Sequence, residues 1–195
     1  MPTVTALRPR PPERVLVELD GAHWRTLPAA VAARVGLSVG LELDRTRLRE
    51  LARELRRSRA LDSAARALAR RDRGTENLRR ELSRRGIAPP EREHAIETLR
   101  RAGIVDDERF AHARAHSLAA RGAGDAAIRF ELECDGVTAA VAAAAVAALE
   151  PEEERARAVA AARGATARTA RYLARKGFSE ESVAAAIPGL VAPGP

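Results

Sequence analysis

The sequence predicts a mainly α-helical protein: three tandem three-helix repeats in a curved array, preceded by a small α/β extension that contains a hairpin. Three observations predict it. One signature recurs around Gly86, Gly136 and Gly177, with Leu82, Leu132 and Leu173 four residues before each glycine and Ile87, Val137 and Phe178 one after. Ile96, Val146 and Ile187 follow at ten residues, and Leu99, Leu149 and Leu190 at thirteen. The apolar period also changes near residue 45, from strand-like alternation to helical spacings of three and four. Finally, a unit of three short helices cannot bury its apolar face alone and must stack on its neighbours.

The elements follow in order. Residues 1–13, rich in Pro and Arg, are expected to be flexible, and residues 14–45 to form a small α/β cap. There, Val15–Leu19 and Ala22–Leu27 flank Asp20-Gly21, a two-residue hairpin signal. Pro28 suits the first turn of a helix that runs through Val35 and stops at Gly36. Val39, Leu41 and Leu43 alternate as in a further strand, and Trp24 reads as a packing residue of this cap.

From Thr46 the helical period begins with Leu48, Leu51 and Leu55. Residues 46–59 read as a linking helix, with a break expected between Ser58 and Asp62. Repeat one spans 60–106, with helices over Ala64–Arg71, Glu76–Arg85 and Pro90–Arg101. Repeat two spans 107–150, repeat three 151–190, and residues 191–195 form a tail. Thr75, Asp125 and Thr166 stand eleven residues before the repeat glycines and suit helix N-caps. Gly86 suits the C′ position, where a left-handed residue ends a helix. Thr138 and Ser179 then cap the helix that follows.

Composition narrows the function classes. A lone Cys134 provides no internal disulfide and fits a reducing compartment. The Ala-rich run Ala139–Leu149 is too short and too weakly apolar to span a membrane. The N-terminus shows no secretory pattern, so a cytoplasmic monomer without membrane association is expected. The chain carries a net +7, and 33 of its 34 basic residues are Arg. That charge is concentrated, because residues 45–101 hold eighteen Arg against nine acids. A localised basic face is the footprint of a polyanion or an acidic protein partner.

Catalytic constellations are weak. Glu108, His112 and His116 share a helix face but have no further ligand to complete a metal site. Asp106 and Asp107 suit capping of the helix that follows better than acid–base work. Gly122 and Gly124 form a repeat-boundary turn rather than a phosphate loop, because no strand precedes them. No nucleophile–base pair emerges, so neither enzyme activity, nor a metal, nor a cofactor is expected. The stronger candidates are cations for a partner or DNA: Arg70, Arg71, Arg73, Arg79, Arg80, Arg84 and Arg85 in repeat one, Arg129 in repeat two, and Arg168, Arg171, Arg175 and Lys176 in repeat three. Any one of them could instead solvate its helix and pair with an acid such as Glu76 or Glu81.

Three stretches together resemble the bacterial RecX family, small regulators of the recombinase RecA. They are LARRDRGTENLRRELSRRG (68–86), GIVDDERFA (103–111) and RYLARKGFS (171–179). The family pattern differs at three places: Gly74 and Asn77 stand where Ser and Glu are usual, and Asp135 where a basic residue precedes the glycine. The resemblance implies a non-enzymatic, three-repeat curved molecule that binds RecA filaments on single-stranded DNA, within the filament groove. It further implies restraint of filament extension, and so of strand exchange, ATP hydrolysis and SOS co-protease activity. Asp106, Asp107 and Phe110 would set the joint between repeats one and two, Gly86, Gly136 and Gly177 would be structural, and the arginines would meet filament protein or DNA phosphates. Two alternatives remain: a general nucleic-acid-binding protein, and a helical adaptor for an acidic protein partner.

Overall fold

The computed structural model describes residues 1–70 and 72–189, so Arg71, Leu190 and the tail 191–195 lie outside the described residues. The chain divides into two compact units, one of residues 1–67 with 82–98 and the other of residues 68–81 with the chain from 99 onward. Among the described residues there are three strands and ten helices.

The first unit opens with a three-stranded antiparallel sheet of β1 (Val4–Arg10), β2 (Arg14–Leu19) and β3 (Ala22–Pro28), in that order. Asp20 and Gly21 both take positive φ, 49° and 81°, as the tight turn of a right-twisted hairpin requires. Residues 1–13 thus depart from the expected flexible segment. Most of them form β1, because Val4 is fully buried and its N–H reaches the Leu41 carbonyl at 2.9 Å. The strand expected over Val39–Leu43 is reduced to a single bridge between Glu42 and Thr3. Helix α1 (Ala29–Arg34) follows Pro28. The core of this unit is Val4, Val17, Leu27, Val31, Leu43 and Leu51, with Trp24, Leu48 and Leu55 packed against it.

Helix α2 runs unbroken over Arg45–Arg70, so the break expected between Ser58 and Asp62 is absent. No Gly or Pro interrupts this stretch, and Ala60, Ser63 and Ala64 are buried, so packing holds the helix through residues of modest propensity. Helices α3 (Thr75–Arg84) and α4 (Pro89–Arg101) follow. Within the first unit, Arg56 donates to Glu91 at 2.8 Å. This bond holds the Glu91 carboxyl below its usual range against the opposing effect of burial.

In the second unit, α5 (Asp107–Ala120), α6 (Asp125–Cys134) and α7 (Ala139–Ala147) enclose Phe110, Ala111, Ala115, Ile128, Leu132, Val137, Ala142 and Val146. Helices α8 (Glu152–Arg163), α9 (Ala167–Arg175) and α10 (Glu180–Ala186) enclose Ala156, Ala160, Ala170, Leu173, Phe178, Ala186 and Ile187. Leu132, Val137, Val146 and Leu149 of repeat two and Leu173, Phe178 and Ile187 of repeat three are therefore core positions, and the alanines between them let short helices approach closely. Thr138 and Ser179 accept hydrogen bonds from the N–H groups of Val141 and Ser182.

The expected N-caps Thr75 and Asp125 are corrected by one residue. Both lie inside their helices, after Gly74 and Gly124, and only Thr166 caps its own helix by accepting from the Thr169 N–H. What replaces the missing caps is described next.

Candidate partner-binding surface on the repeats

In the second unit, neighbouring repeats are joined by two recurring contacts. The first is a carboxylate supplied across the joint. Asp107, the first residue of α5, accepts the Thr75 N–H at 2.6 Å, and Glu152, the first residue of α8, accepts the Asp125 N–H at 2.6 Å. Each fills one of the orphan donors at the start of the preceding repeat's second helix. Glu152 also accepts from the Ser179 N–H at 3.1 Å and from the hydroxyls of Ser179 and Ser182 at 2.6 and 2.9 Å. Burial alone would raise its carboxyl, but these donors together hold it below the usual range.

The second contact is a glycine turn laid across that same helix start. The Asp135-Gly136 turn lies on α3, where a side chain on Gly136 would stand 2.5 Å from the Glu76 Cβ. Asn77 donates to the Asp135 carboxylate at 3.1 Å, and Arg80 to the Cys134 carbonyl at 3.2 Å. The Lys176-Gly177 turn lies likewise on α6, where the N–H groups of Gly124 and Ala126 donate to the carbonyls of Lys176 and Gly177 at 2.8 and 3.2 Å. Gly86, by contrast, has open space around it, and its φ of +73° alone requires glycine.

The residues expected at the joint take distinct places. Asp106 is the N-cap of α5 and accepts from the Arg109 N–H at 3.0 Å. Asp107 reaches across to α3, and Phe110 is buried, with its ring 3.5 Å from where a Gly74 side chain would begin.

The candidate cations are not gathered into one site. Arg79 pairs with Glu76, Arg129 with Asp125 at 3.4 Å, and Arg85 donates to the Ser63 hydroxyl at 3.3 Å. Arg70 and Arg84 are exposed, and Arg73 is half-buried with an Nε that has no hydrogen-bond partner among the described residues. On α9 the situation differs. Arg168, Arg171 and Arg175 are exposed and make no hydrogen bond or ion pair among the described residues. Lys176 is half-buried, its ammonium 5.9 Å from the Tyr172 ring centre. A hollow of about 380 Å³ beside them is lined by Arg163, Thr166, Arg168, Thr169, Tyr172 and Arg175.

Sequence reasoning missed Glu152, Arg155, Arg163 and Tyr172. Arg155 donates to the Ala123 carbonyl at 2.8 Å and pairs with Asp125, and Arg163 lies 4.1 Å above the Tyr172 ring. The available signal was positional: Glu152 opens α8 as Asp107 opens α5.

Comparison with known proteins places this architecture. Residues 106–146 match the family model "RecX, second three-helix domain". A "Regulatory protein RecX" from Halorhodospira halophila is 34% identical over 135 residues, covering 64% of this chain and 84% of the relative. The chain belongs to the RecX family. Two further relatives of that name, from Syntrophotalea carbinolica and Chromohalobacter salexigens, are 44% and 41% identical over 34% and 42% of this chain. Those alignments span 43% and 53% of the relatives, so the chain matches about half the length of each. A crystal structure of a regulatory protein RecX superposes with a TM-score of 0.80 at 19% identity, covering 93% of this chain and 97% of the other. RecX from Lactobacillus salivarius superposes with a TM-score of 0.61 at 16% identity, over 68% and 94%. Both show the RecX fold here, helical with a small N-terminal sheet. No helix among the described residues is long and apolar enough to cross a membrane.

Proposed function

We propose that this chain is a non-enzymatic cytoplasmic regulator that binds RecA filaments on single-stranded DNA and restrains their extension. Recombinase, ATPase and co-protease activity would fall with it. Membership of a family of regulatory proteins supports the reading. The observation that carries it is the row Arg168, Arg171 and Arg175 on α9, three exposed guanidiniums that make no hydrogen bond or ion pair among the described residues. Such forks match carboxylates and phosphates bidentately, the two anion types of a protein–DNA filament.

The paired state of Arg79 and Arg129 moves weight from repeats one and two to repeat three, since an arginine already held by an acid gives less to a partner. The decisive experiment is single-strand-dependent ATP hydrolysis by the cognate RecA, titrated with this protein at physiological salt. Inhibition well below one molecule per RecA supports filament regulation. Unchanged hydrolysis in the presence of folded protein overturns it.

A further inference from the structure

We infer that the outer face of α9 is a docking site for an acidic, helix-ending turn of another protein, one in which a carboxylate precedes a glycine. The repeats themselves supply the template. On α3, Asn77 and Arg80 grip the Asp135-Gly136 turn through the Asp135 carboxylate and the Cys134 carbonyl. These two donors stand nine and six residues before Gly86, and the residues nine and six before Gly177 are Arg168 and Arg171.

Charge follows the occupant at both joints already filled. Where the incoming turn carries a carboxylate, at Asp135-Gly136, the receiving helix offers an amide and a guanidinium. Where the incoming turn is basic, Arg175-Lys176-Gly177, the corresponding residues of α6 are Ala127 and Phe130, neither of them a cation. Helix α9 offers two guanidiniums at these positions, with Arg175 one turn further, and none of the three has a partner among the described residues. The complementary occupant is therefore acidic.

The neighbouring hollow has the matching place in the repeat. Thr166 corresponds to Thr75 and Asp125, whose N–H groups receive Asp107 and Glu152 from the following repeat. Helix α9 caps itself through Thr166, and the hollow beside it, rimmed by Arg163, Arg168 and Arg175, is left for an acidic side chain. A second copy of this chain is a poor occupant, because the turn it would offer in the same role is Arg84-Arg85-Gly86. A single-stranded nucleic acid is also less suited. The one aromatic of the hollow, Tyr172, already has Arg163 over its ring at 4.1 Å and gives little stacking platform.

The assignment concerns the chemistry that α9 grips and holds whether or not RecA is the protein that supplies it. The test uses the full chain, ¹⁵N-labelled, titrated at physiological salt with an end-blocked peptide copying residues 125–138 and carrying Cys134→Ser. We expect saturable shifts of the backbone amides of 165–172. Binding weakens by about tenfold or more when the peptide carries Asp135→Arg, or when the protein carries Arg168→Glu with Arg171→Glu, as two charge-assisted bonds predict. Shifts that are absent, that lie elsewhere, or that are equal for the Asp135→Arg peptide overturn the proposal. So does a short oligothymidylate that shifts the same amides at lower concentration, since α9 would then be a phosphate site. The peptide series keeps the test valid even if the doubly substituted protein folds poorly.

Discussion

Asn77 and Asp135 stand 58 residues apart and hydrogen-bond at 3.1 Å. The donor is on α3 and the acceptor on the incoming turn, so the bond closes the joint between the first two repeats. Arg114 completes it, donating to the other Asp135 oxygen at 3.0 Å.

Removal of this acceptor leaves Asn77 and Arg114 half-buried with fewer partners. Asp135→Ala is expected to lower unfolding free energy by about 1–3 kcal/mol, and Asn77→Ala by about 1 kcal/mol. A double-mutant cycle by urea denaturation should return a coupling of at least about 0.5 kcal/mol. Strict additivity would mean that the bond contributes nothing to the joint.

The glycines separate two costs that sequence alone merges. Gly86 and Gly177 share a left-handed backbone, φ +73° and +81°, so alanine at either costs about 1–2 kcal/mol for conformation. At Gly177 a Cβ would also stand 2.6 Å from the Ala127 backbone nitrogen. Gly124 isolates the second cost. Its φ is −83°, which any residue adopts, yet a Cβ there would lie 2.3 Å from the Gly177 carbonyl carbon. Thermal unfolding should therefore rank Gly177→Ala as more damaging than Gly86→Ala, with Gly124→Ala also exceeding Gly86→Ala. Gly177→Ala no worse than Gly86→Ala, with Gly124→Ala near neutral, would show that close approach adds no cost.

This contrast also marks what could be read in advance. The repeat glycines and the Leu, Ile and Val positions around them were legible, because a helix end and a core face leave local periodic traces. Asp107 and Glu152 as caps of the preceding repeat were not legible, since the donor lies 32 or 27 residues away and only packing brings it near. Strand β1 was hidden for the same reason. Its Pro and Arg content reads as flexible until Val4 and Val17 share a core. The paired or unpaired state of each arginine likewise depends on tertiary neighbours, so the sequence could nominate twelve cations but not rank them.

Glu152 makes the second joint pH-sensitive. Its carboxyl is held below its ordinary value of 4.5 in the folded chain, so its stabilising contribution is fully present above that value. The contribution is lost as pH falls through the lower folded value, when protonation removes the acceptor for Asp125, Ser179 and Ser182. Glu91 is lowered in the same direction by Arg56 and adds to the same acid limb. Urea midpoints should therefore be level near neutrality and fall below about pH 4.5. Glu152→Gln should lower the neutral plateau by about 1–3 kcal/mol and flatten, without abolishing, the acid limb. An unchanged limb in Glu152→Gln would show that this carboxylate is not what couples acid to the joint.

The α9 arginines give the sharpest separation of function from folding. Arg168, Arg171 and Arg175 are exposed and unpaired among the described residues, so reversing Arg168 and Arg171 to Glu should change stability by no more than about 0.5 kcal/mol per site. On the proposed reading, the same reversal should remove most inhibition of single-strand-dependent RecA ATP hydrolysis, because it puts acids on the face assigned to an anionic partner. Arg79→Ala and Arg129→Ala provide the contrast: each breaks a pair within its own helix, with Glu76 or Asp125, and should leave inhibition close to that of the unsubstituted protein. Arg80→Ala should act differently again, costing stability through the lost bond to Cys134 rather than through loss of partner contact. If the α9 reversal inhibits as well as the unsubstituted chain while Arg79→Ala does not, the partner surface lies on repeat one instead.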